Sequence, residues 1–382
     1  MKTILIVEDD LAIARGLTDN LEHEGYRVVH EKDGLKGYER AKLEQPDLLI
    51  LDVMLPTMDG FHICSRLKEE KFSAPIFMLT GLSQEESRLD GLRRGADDYI
   101  AKPFHLQELL FRVRNALKQQ DLVSERAKRL ETEFLRARKI QMASLPRTQP
   151  RMRGLDVYGR TVPAEQVGGD YYDYVRPGKQ KLGIVVADVS GKGMPAAMYV
   201  QKIQGIVQSN AGDATDPAYI LRALQQHMSD SMESSSFITA VVGLFDVETR
   251  SLQVAQAGHL PLLHIRDKKI RLLKPQGLWI GKTSAGKFEK NLRVLKVEIR
   301  SGDTILFYSD GLVEAKNRAG TEFGIRRVRS LATGKHATAM TLVDHYFKAV
   351  REFSGNEVQS DDITIVAIKV DFRHIHKKGV RR

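Results

Sequence analysis

Between Pro103 and Pro146 the chain contains neither glycine nor proline. These are the residues that most often break or end a helix, so a long stretch without them leaves little but helix open to it. The segment FHLQELLFRVRNALKQQDLVSERAKRLETEFLRARKIQMASLP therefore reads as one long helix, or two nearly collinear ones, ending near Pro146. Leu109, Val113, Ala116, Gln120, Val123, Ala127, Leu130, Phe134, Ala137, Gln141 and Ser144 alternate steps of four and three. That is a heptad seam weakened at its polar positions, and it makes the helix available for homodimer formation. The plainer alternative is a surface helix belonging to the second domain. In either case the helix divides the 382-residue chain into two parts with different patterns.

The part before it alternates short apolar runs with amphipathic stretches. TILIV, DLLILDV, APIFMLT and DDYIAK have the continuous hydrophobicity of buried parallel strands. Helical patterns fall between them, as in LAIARGLTDNLEHEG, whose closing Gly25 suits a helix C-terminus. This alternation predicts a doubly wound α/β domain. Glu8 and Asp9 follow the first strand, Asp52 ends the third, Thr80 the fourth and Lys102 the fifth. In an open α/β sheet the carboxyl ends of the strands form the ligand crevice. Three acids there repel one another unless a cation sits among them, and oxygen donors suit Mg²⁺. A carboxylate can then attack a phosphoryl donor, with Thr80 and Lys102 placed to hold the phosphoryl oxygens.

The pieces ILIVEDD, LDVMLPTMDG, MLTG and YIAKPF closely resemble the receiver domain of two-component response regulators. The resemblance implies a flavodoxin-like fold and Asp52 as phosphoacceptor. It implies Glu8, Asp9, Asp52 and the Met54 carbonyl around Mg²⁺, with Thr80 and Lys102 as switch and phosphate contacts. It also implies Tyr99 as the aromatic switch, a cis Lys102–Pro103 bond, and a sensor histidine kinase or phosphotransfer protein as partner.

After the helix, the strand-like runs KLGIVVADV, FITAVVGLFDV, SLQVAQAG, KIRLLK, LRVLKVEI, DTILFYSDG and DITIVAIKVDF outnumber the helical stretches PAAMYVQKIQGIVQSN, PAYILRALQQHMSDSM and MTLVDHYFKAVREF. Their hairpin-like succession predicts an α+β sandwich of antiparallel sheets. Within AEQVGGDYYDY, Asp170 follows two glycines, which lets the backbone be approached closely. Asp188 ends an apolar strand, Asp310 ends another, and Asp361 and Asp362 begin a third. Acids converging at strand ends need metal to offset their repulsion, and hard oxygen donors favour Mg²⁺ or Mn²⁺ over zinc. Two such ions can clamp a phosphoryl group and activate water without a thiol or serine nucleophile.

The run of VGGDYYDY, ADVSGKGMPAAM, FITAVVGLFD, QAGHLPLL, FYSDGLVEAKNRAGTEFG and SDDITIV resembles the metal-dependent protein phosphatases of the type 2C-like (PPM) class, in their bacterial sporulation and stress branch. The resemblance implies a PPM-type β-sandwich and catalysis by Asp170, Asp188, Asp310 and Asp361. The two Mn²⁺ or Mg²⁺ ions would be held by these four with the Val189 carbonyl, and Asp362 lies nearby. His259 reads as structural. The substrate implied is a phosphorylated anti-sigma-factor antagonist of the STAS type. Two places depart from the family pattern: Trp279 in QGLWIG, where a Pro-Gly-Leu-Pro-Leu-Gly-like segment is commoner, and Ser144 in KIQMASLP, where leucine is usual. Neither is a metal ligand, and both bear on substrate fit and regulation.

The expected organisation is a receiver at 1–119, a helical, coiled-coil linker at 120–147, a serine/threonine phosphatase domain at 148–372 and a basic tail at 373–382. Hydrophobic residues make up 42% and charged residues 28%, as in ordinary globular chains, and no apolar run is long enough for a bilayer. The start reads as a first strand and not as a signal peptide. The single Cys64 forms no internal disulfide, which suits a reducing, cytoplasmic setting. Two other readings remain open at this point. One is a catalytically weak adaptor that binds a partner under receiver control. The other is a DNA-binding regulator, suggested by the net charge of +10, but the assigned segments leave no helix-turn-helix for it, so no nucleic-acid or membrane partner is expected.

Overall fold

The computed structural model describes residues 1–81, 95–282 and 285–373. It contains two compact units, Met1–Glu131 and Thr132–Arg382. Beyond Arg373, the basic tail lies outside the described residues.

In the first unit, strands β1 (Thr3–Val7), β2 (Arg27–Glu31), β3 (Leu48–Asp52), β4 (Ile76–Gly81) and β5 (Asp98–Lys102) form one sheet in the order β2-β1-β3-β4-β5. Every pairing is parallel. The central strand β3 is buried along its whole length, the signature of a sheet covered on both faces. One face packs Tyr38, Ala41, Ile63, Cys64 and Leu67 from the helices Gly34–Glu44 and Gly60–Glu69. The other packs Leu17 and Leu21 from Leu11–His23, with Leu109, Val113 and Leu117 from the long helix. Asp10, Asp33 and Asp59 cap three of these helices, each accepting a backbone N–H of the first turn. Gly25 lies just past the end of the first helix with φ +87°, as its sequence position suggests. The strand order reverses between β1 and β3, which opens the crevice at their carboxyl ends.

A single helix spans Leu106–Ser144. Its seam is buried at its two ends, by Leu109 and Val113 early and by Gln141 late, while every residue from Asp121 to Glu133 is exposed.

The second unit is a sandwich of two antiparallel sheets. One contains β7 (Asp170–Gly178), β8 (Lys181–Val189), β9 (Phe237–Asp246), β10 (Ser251–Ala257) and β14 (Leu295–Glu298), ordered β14-β10-β9-β8-β7, with β13 (Ile280–Gly281) also on β9. The other is β12-β11-β15-β16-β6, from β6 (Leu155–Val162), β11 (Leu262–Arg266), β12 (Lys269–Leu273), β15 (Thr304–Tyr308) and β16 (Ile363–Val370). Their inner faces share one core that includes Val185, Val242, Phe307 and Val366. The sheets approach so closely that a Cβ on Gly243 would lie 2.6 Å from the Phe307 ring. Helices Gly193–Asn210 and Pro217–Met228 pack on the first sheet, and Gly324–Ala332 and Ala339–Ser354 on the second.

Strands β6, β7, β11 and the two-residue β13 go beyond those expected from apolar runs. In β7 the reason is chemical: DYYDYVRPG interleaves acids and tyrosines, yet Asp170 through Asp173 are buried. The Asp173 carboxylate is satisfied inside by the Tyr171 hydroxyl (2.6 Å), the Gln208 amide (2.5 Å) and the Tyr174 backbone N–H (2.7 Å). The helix expected through Met232 ends at Met228.

Candidate functional site

In the first unit, β1 delivers Glu8 and Asp9 and β3 delivers Asp52 to the same end of the sheet. One oxygen from each of these three carboxylates lies within 4.8 Å of the others, the spacing of a cation's oxygen shell. Glu8 is fully buried. Burial raises its carboxyl above the ordinary range although the Lys102 ammonium works against that shift. Lys102, from the end of β5, donates to Glu8 Oε2 at 2.7 Å and lies 3.1 Å from Asp52 Oδ2. Burial alone would depress the lysine, but its bonds to Glu8 and Asp52 hold it above its ordinary value. The Lys102–Pro103 bond is cis. Thr80, expected at the end of β4, is its penultimate residue, in register with Ala101 and one residue from Lys102's partner Gly81, and Tyr99 is buried on β5 beside Met78. Met54 follows β3 with its side chain exposed, leaving its backbone carbonyl as the hard oxygen it can offer.

In the second unit, Asp170 and Asp188 face one another across the β7–β8 ladder. Asp310 follows β15 and Asp361 precedes β16, neighbouring strands of the facing sheet. Burial, then Asp188 and Asp362, hold the Asp170 carboxyl well above the usual carboxylate range. Burial, then Asp310, Asp361 and Asp362, push Asp188 up to about 7. Burial and Asp361 raise Asp310 as well. The four aspartates therefore share one field, but among the described residues they do not close into a group as tight as Glu8, Asp9 and Asp52. The donor set fits hard divalent cations: one buried and three half-buried carboxylates with more negative charge than nearby cations offset. The closest countercharge among the described residues, Lys192, lies 3.4 Å from Asp361 and is half exposed. The backbone fits as well, because a Cβ at Gly169 would sit 2.8 Å from the Val189 carbonyl, so glycine keeps that oxygen uncovered.

Asp362 is engaged differently from its neighbour Asp361. It accepts the backbone N–H groups of Ala164 (2.7 Å), Gly169 (2.6 Å) and Asp170 (3.2 Å). Its carboxylate ties the Asp170 segment to the start of β16. His259, which lines the adjoining cleft, shares a hydrogen bond with Thr239 through Nδ1 at 2.7 Å, and burial pushes it down to about 4. That cleft, of about 490 Å³, is lined by Asp188, Asp310, Glu314, Lys274 and Trp279 among others. Trp279 is 51% exposed, its ring 6.1 Å from that of Phe237.

Ser309 and Gln141 escaped assignment to the site from sequence. Ser309 is fully buried and donates to Asp170 Oδ2 at 2.6 Å while accepting Thr364 N–H at 2.9 Å. The available signal was a small polar residue closing the apolar run of β15. Gln141 showed only as a polar break in the heptad seam.

The family model for Stage II sporulation protein E (SpoIIE) matches residues 178–371, half of the chain. The chain belongs to that family. The response regulator receiver domain model matches residues 4–114, so this SpoIIE-family protein carries a receiver domain ahead of its PPM phosphatase domain. Curated relatives include the DNA-binding dual master transcriptional regulator RpaA of Synechocystis, 45% identical over 133 residues, covering 34% of this chain and 55% of that protein. The alkaline phosphatase synthesis regulatory protein PhoP of Bacillus subtilis is 42% identical over 123 residues, 32% of this chain and 51% of that protein. The chain thus spans about half the length of these relatives. Among solved structures, the SiaA-PP2C domain of Pseudomonas aeruginosa has a TM-score of 0.57 at 25% identity, covering 64% of this chain and 98% of that one. The phosphatase domain and regulatory fragment of SpoIIE from Bacillus subtilis shares the fold, with a TM-score of 0.51 at 17% identity over 57% of this chain and 62% of that one. Among the described residues, no helix is long and apolar enough to cross a membrane.

Proposed function

We propose that the protein is a metal-dependent protein serine/threonine phosphatase controlled by phosphorylation of Asp52. The observation that carries this reading is the set Asp170, Asp188, Asp310 and Asp361, gathered from two facing sheets with their charge largely uncompensated. Bound Mn²⁺ or Mg²⁺ would supply Lewis acidity toward the phosphoryl group and an activated water. The four aspartates and the Val189 carbonyl would hold the ions. Asp362 and Ser309 would fix the Asp170 segment, and the Lys274–Trp279 side of the cleft would receive the substrate chain. In the receiver, Glu8, Asp9, Asp52 and the Met54 carbonyl would hold Mg²⁺. Lys102 would pass from Glu8 and Asp52 to the new phosphoryl oxygens, with Thr80 and Tyr99 reporting the change.

A sensor histidine kinase or phosphotransfer protein would supply the phosphoryl group. The substrate would be a phosphorylated anti-sigma-factor antagonist, a reading supported by likeness to the RsbU and RsbW domains of a Mycobacterium tuberculosis protein. That structure has a TM-score of 0.50 at 25% identity, covering 59% of this chain and 63% of that one. The domain limits proposed are 1–119, 120–147 and 148–372, in a cytoplasmic protein.

The test is hydrolysis of p-nitrophenyl phosphate with Mn²⁺, with and without acetyl phosphate, by the wild type, Asp52→Ala and Asp188→Asn. Activity that needs Asp188, and that responds to acetyl phosphate only when Asp52 is present, is the expected result. An inert protein that still captures a partner would favour the adaptor reading instead.

A further inference from the structure

We infer that Gln141, at the end of the long helix, is a positioning residue for the metal-bearing segment around Asp170. The inference rests on the two-metal reading above and goes beyond it by assigning the part that sets the geometry of the cluster.

Gln141 is 5% exposed, and its carboxamide is committed to one residue. Nε2 donates to the Gly168 carbonyl at 2.7 Å, and Oε1 accepts the Gly168 N–H at 3.0 Å. Both hydrogen-bonding groups of that backbone unit are therefore satisfied by a single side chain, just before β7 begins at Asp170. On its other flank the same segment is held by Asp362, through the N–H groups of Gly169 and Asp170. A Cβ on Gly168 would come within 2.3 Å of Asp362 Oδ2, so there is no slack on that side. Asp170 is thus placed by two clamps, one from β16 and one from the helix.

The last turn of the helix also grips the element that comes after Asp188. Ser144 Oγ donates to Gln201 Oε1 at 3.0 Å, and Gln204 Nε2 donates to the Ser144 carbonyl. Both glutamines lie on Gly193–Asn210, the helix that starts after the Asp188–Val189 strand end and its Ser-Gly-Lys turn. One helix end therefore holds both sides of the Asp170–Asp188 pair. A rotation or axial shift of that end would break the Gly168 bonds and move one aspartate relative to the other. A buried carboxamide at a seam position is poor packing material compared with leucine or methionine, and its two bonds explain its presence there.

The test separates bonding from packing. Gln141→Met fills the same volume but makes neither bond, and Gln141→Glu keeps an acceptor for the Gly168 N–H while losing the donor. Mn²⁺ binding to the full chain would be followed by electron paramagnetic resonance of the free ion, counting only the sites that Asp188→Asn removes. Gln141→Met is expected to weaken those sites ~10–100-fold, as removal of groups that orient metal ligands typically does. Its thermal midpoint without metal should drop by several degrees, because two buried backbone groups at Gly168 lose their partner, so binding is compared well below that transition. Gln141→Glu, which sets a carboxylate oxygen against the Gly168 carbonyl, should weaken the same sites and reports the same effect should the methionine variant fold poorly. Wild-type Mn²⁺ affinity in both variants would overturn the positioning role while leaving the phosphatase reading intact. A wild-type protein that shows neither Asp188-dependent Mn²⁺ sites nor hydrolysis would overturn both.

Discussion

The receiver and the SpoIIE-type domain each gather carboxylates at strand ends, but they manage the charge in opposite ways. In the receiver, Glu8, Asp9 and Asp52 crowd within 4.8 Å and Lys102 sits among them, bonded to Glu8 and close to Asp52. The cluster is partly neutralised before any ion or phosphoryl group arrives. In the SpoIIE-type domain, Asp188 is pushed up to about 7 because burial and three other aspartates act on it together. Among the described residues the cation paired with that set, Lys192 beside Asp361, lies at its edge. A site that carries its own countercharge can be switched by moving a lysine. A site without one depends on added cations for both charge balance and shape. The contrast is the one that the proposed phosphorylation input and the proposed metal requirement would call for. A third carboxylate marks the far limit: Asp303 is buried, and accepts from Arg266 at 2.7 and 2.6 Å, from His264 at 3.0 Å and from the Arg300 N–H at 2.9 Å, with no role in either site.

The largest effect expected is at the uncompensated cluster. Asp188→Asn or Asp310→Asn should lower Mn²⁺-dependent turnover of p-nitrophenyl phosphate by ~10³-fold, because each removes a charge the ions would need. Retention of activity in either would break the two-metal reading. Next comes the fully paired acid. Asp303→Ala should destabilise its domain by ~3–5 kcal/mol in urea titrations, since it leaves Arg266 without its buried partner. Its pH dependence has a definite sign. Burial alone would raise the Asp303 carboxyl, but the bonds from Arg266 and His264 outweigh it and hold the group well below the usual range. Its contribution is therefore complete above about pH 4, the unfolded value, and is lost as pH falls through the folded value. The gap between wild type and the variant should be full at pH 6 and shrink in acid; a gap that persists unchanged would show that packing, and not the charge, is what Asp303 provides.

Smaller still, Gly168→Ala should cost ~1–3 kcal/mol and weaken Mn²⁺ binding, because the new methyl must displace the Asp362 carboxylate. A variant as stable as wild type would mean the Asp362 clamp yields easily. The smallest effect bears directly on the comparison. In metal-free protein with a chelator present, Asp188→Asn should stabilise the SpoIIE-type domain by ~1 kcal/mol by relieving repulsion, at the expense of function. Asp52→Asn should gain less in the receiver, because it also removes a partner of Lys102. Equal gains in chemical denaturation would erase the contrast between the two clusters.

Much of this was legible in the linear chain. Four of the five receiver strands, and the acids at their ends, follow from continuous apolar runs closed by polar residues; the edge strand β2, RVVHE, has no such run. The long helix follows from the absence of glycine and proline between Pro103 and Pro146. In the second domain the runs before Asp188 and Asp310 marked their strands in the same way. β7 was harder to read, because its tyrosines and aspartates look like surface until Gln208 and Tyr171 are brought against Asp173.

Local patterning is a property of neighbours in sequence, so it determined which residues stand at strand ends and where helix gives way to sheet. It could not determine how Asp361 and Asp362, adjacent in the chain, divide their work. Tertiary structure decided that, by directing Asp362 at three backbone N–H groups, two in the connection between β6 and β7 and one at the start of β7, and leaving Asp361 toward Asp310. Nor could a heptad count tell a weak seam position from a clamp: Gln141 acquires its meaning only where Gly168, 27 residues onward, folds back against it. Long-range hydrogen bonds and shared electrostatic fields depend on distances that chain order does not encode, and those are what convert a row of aspartates into a site.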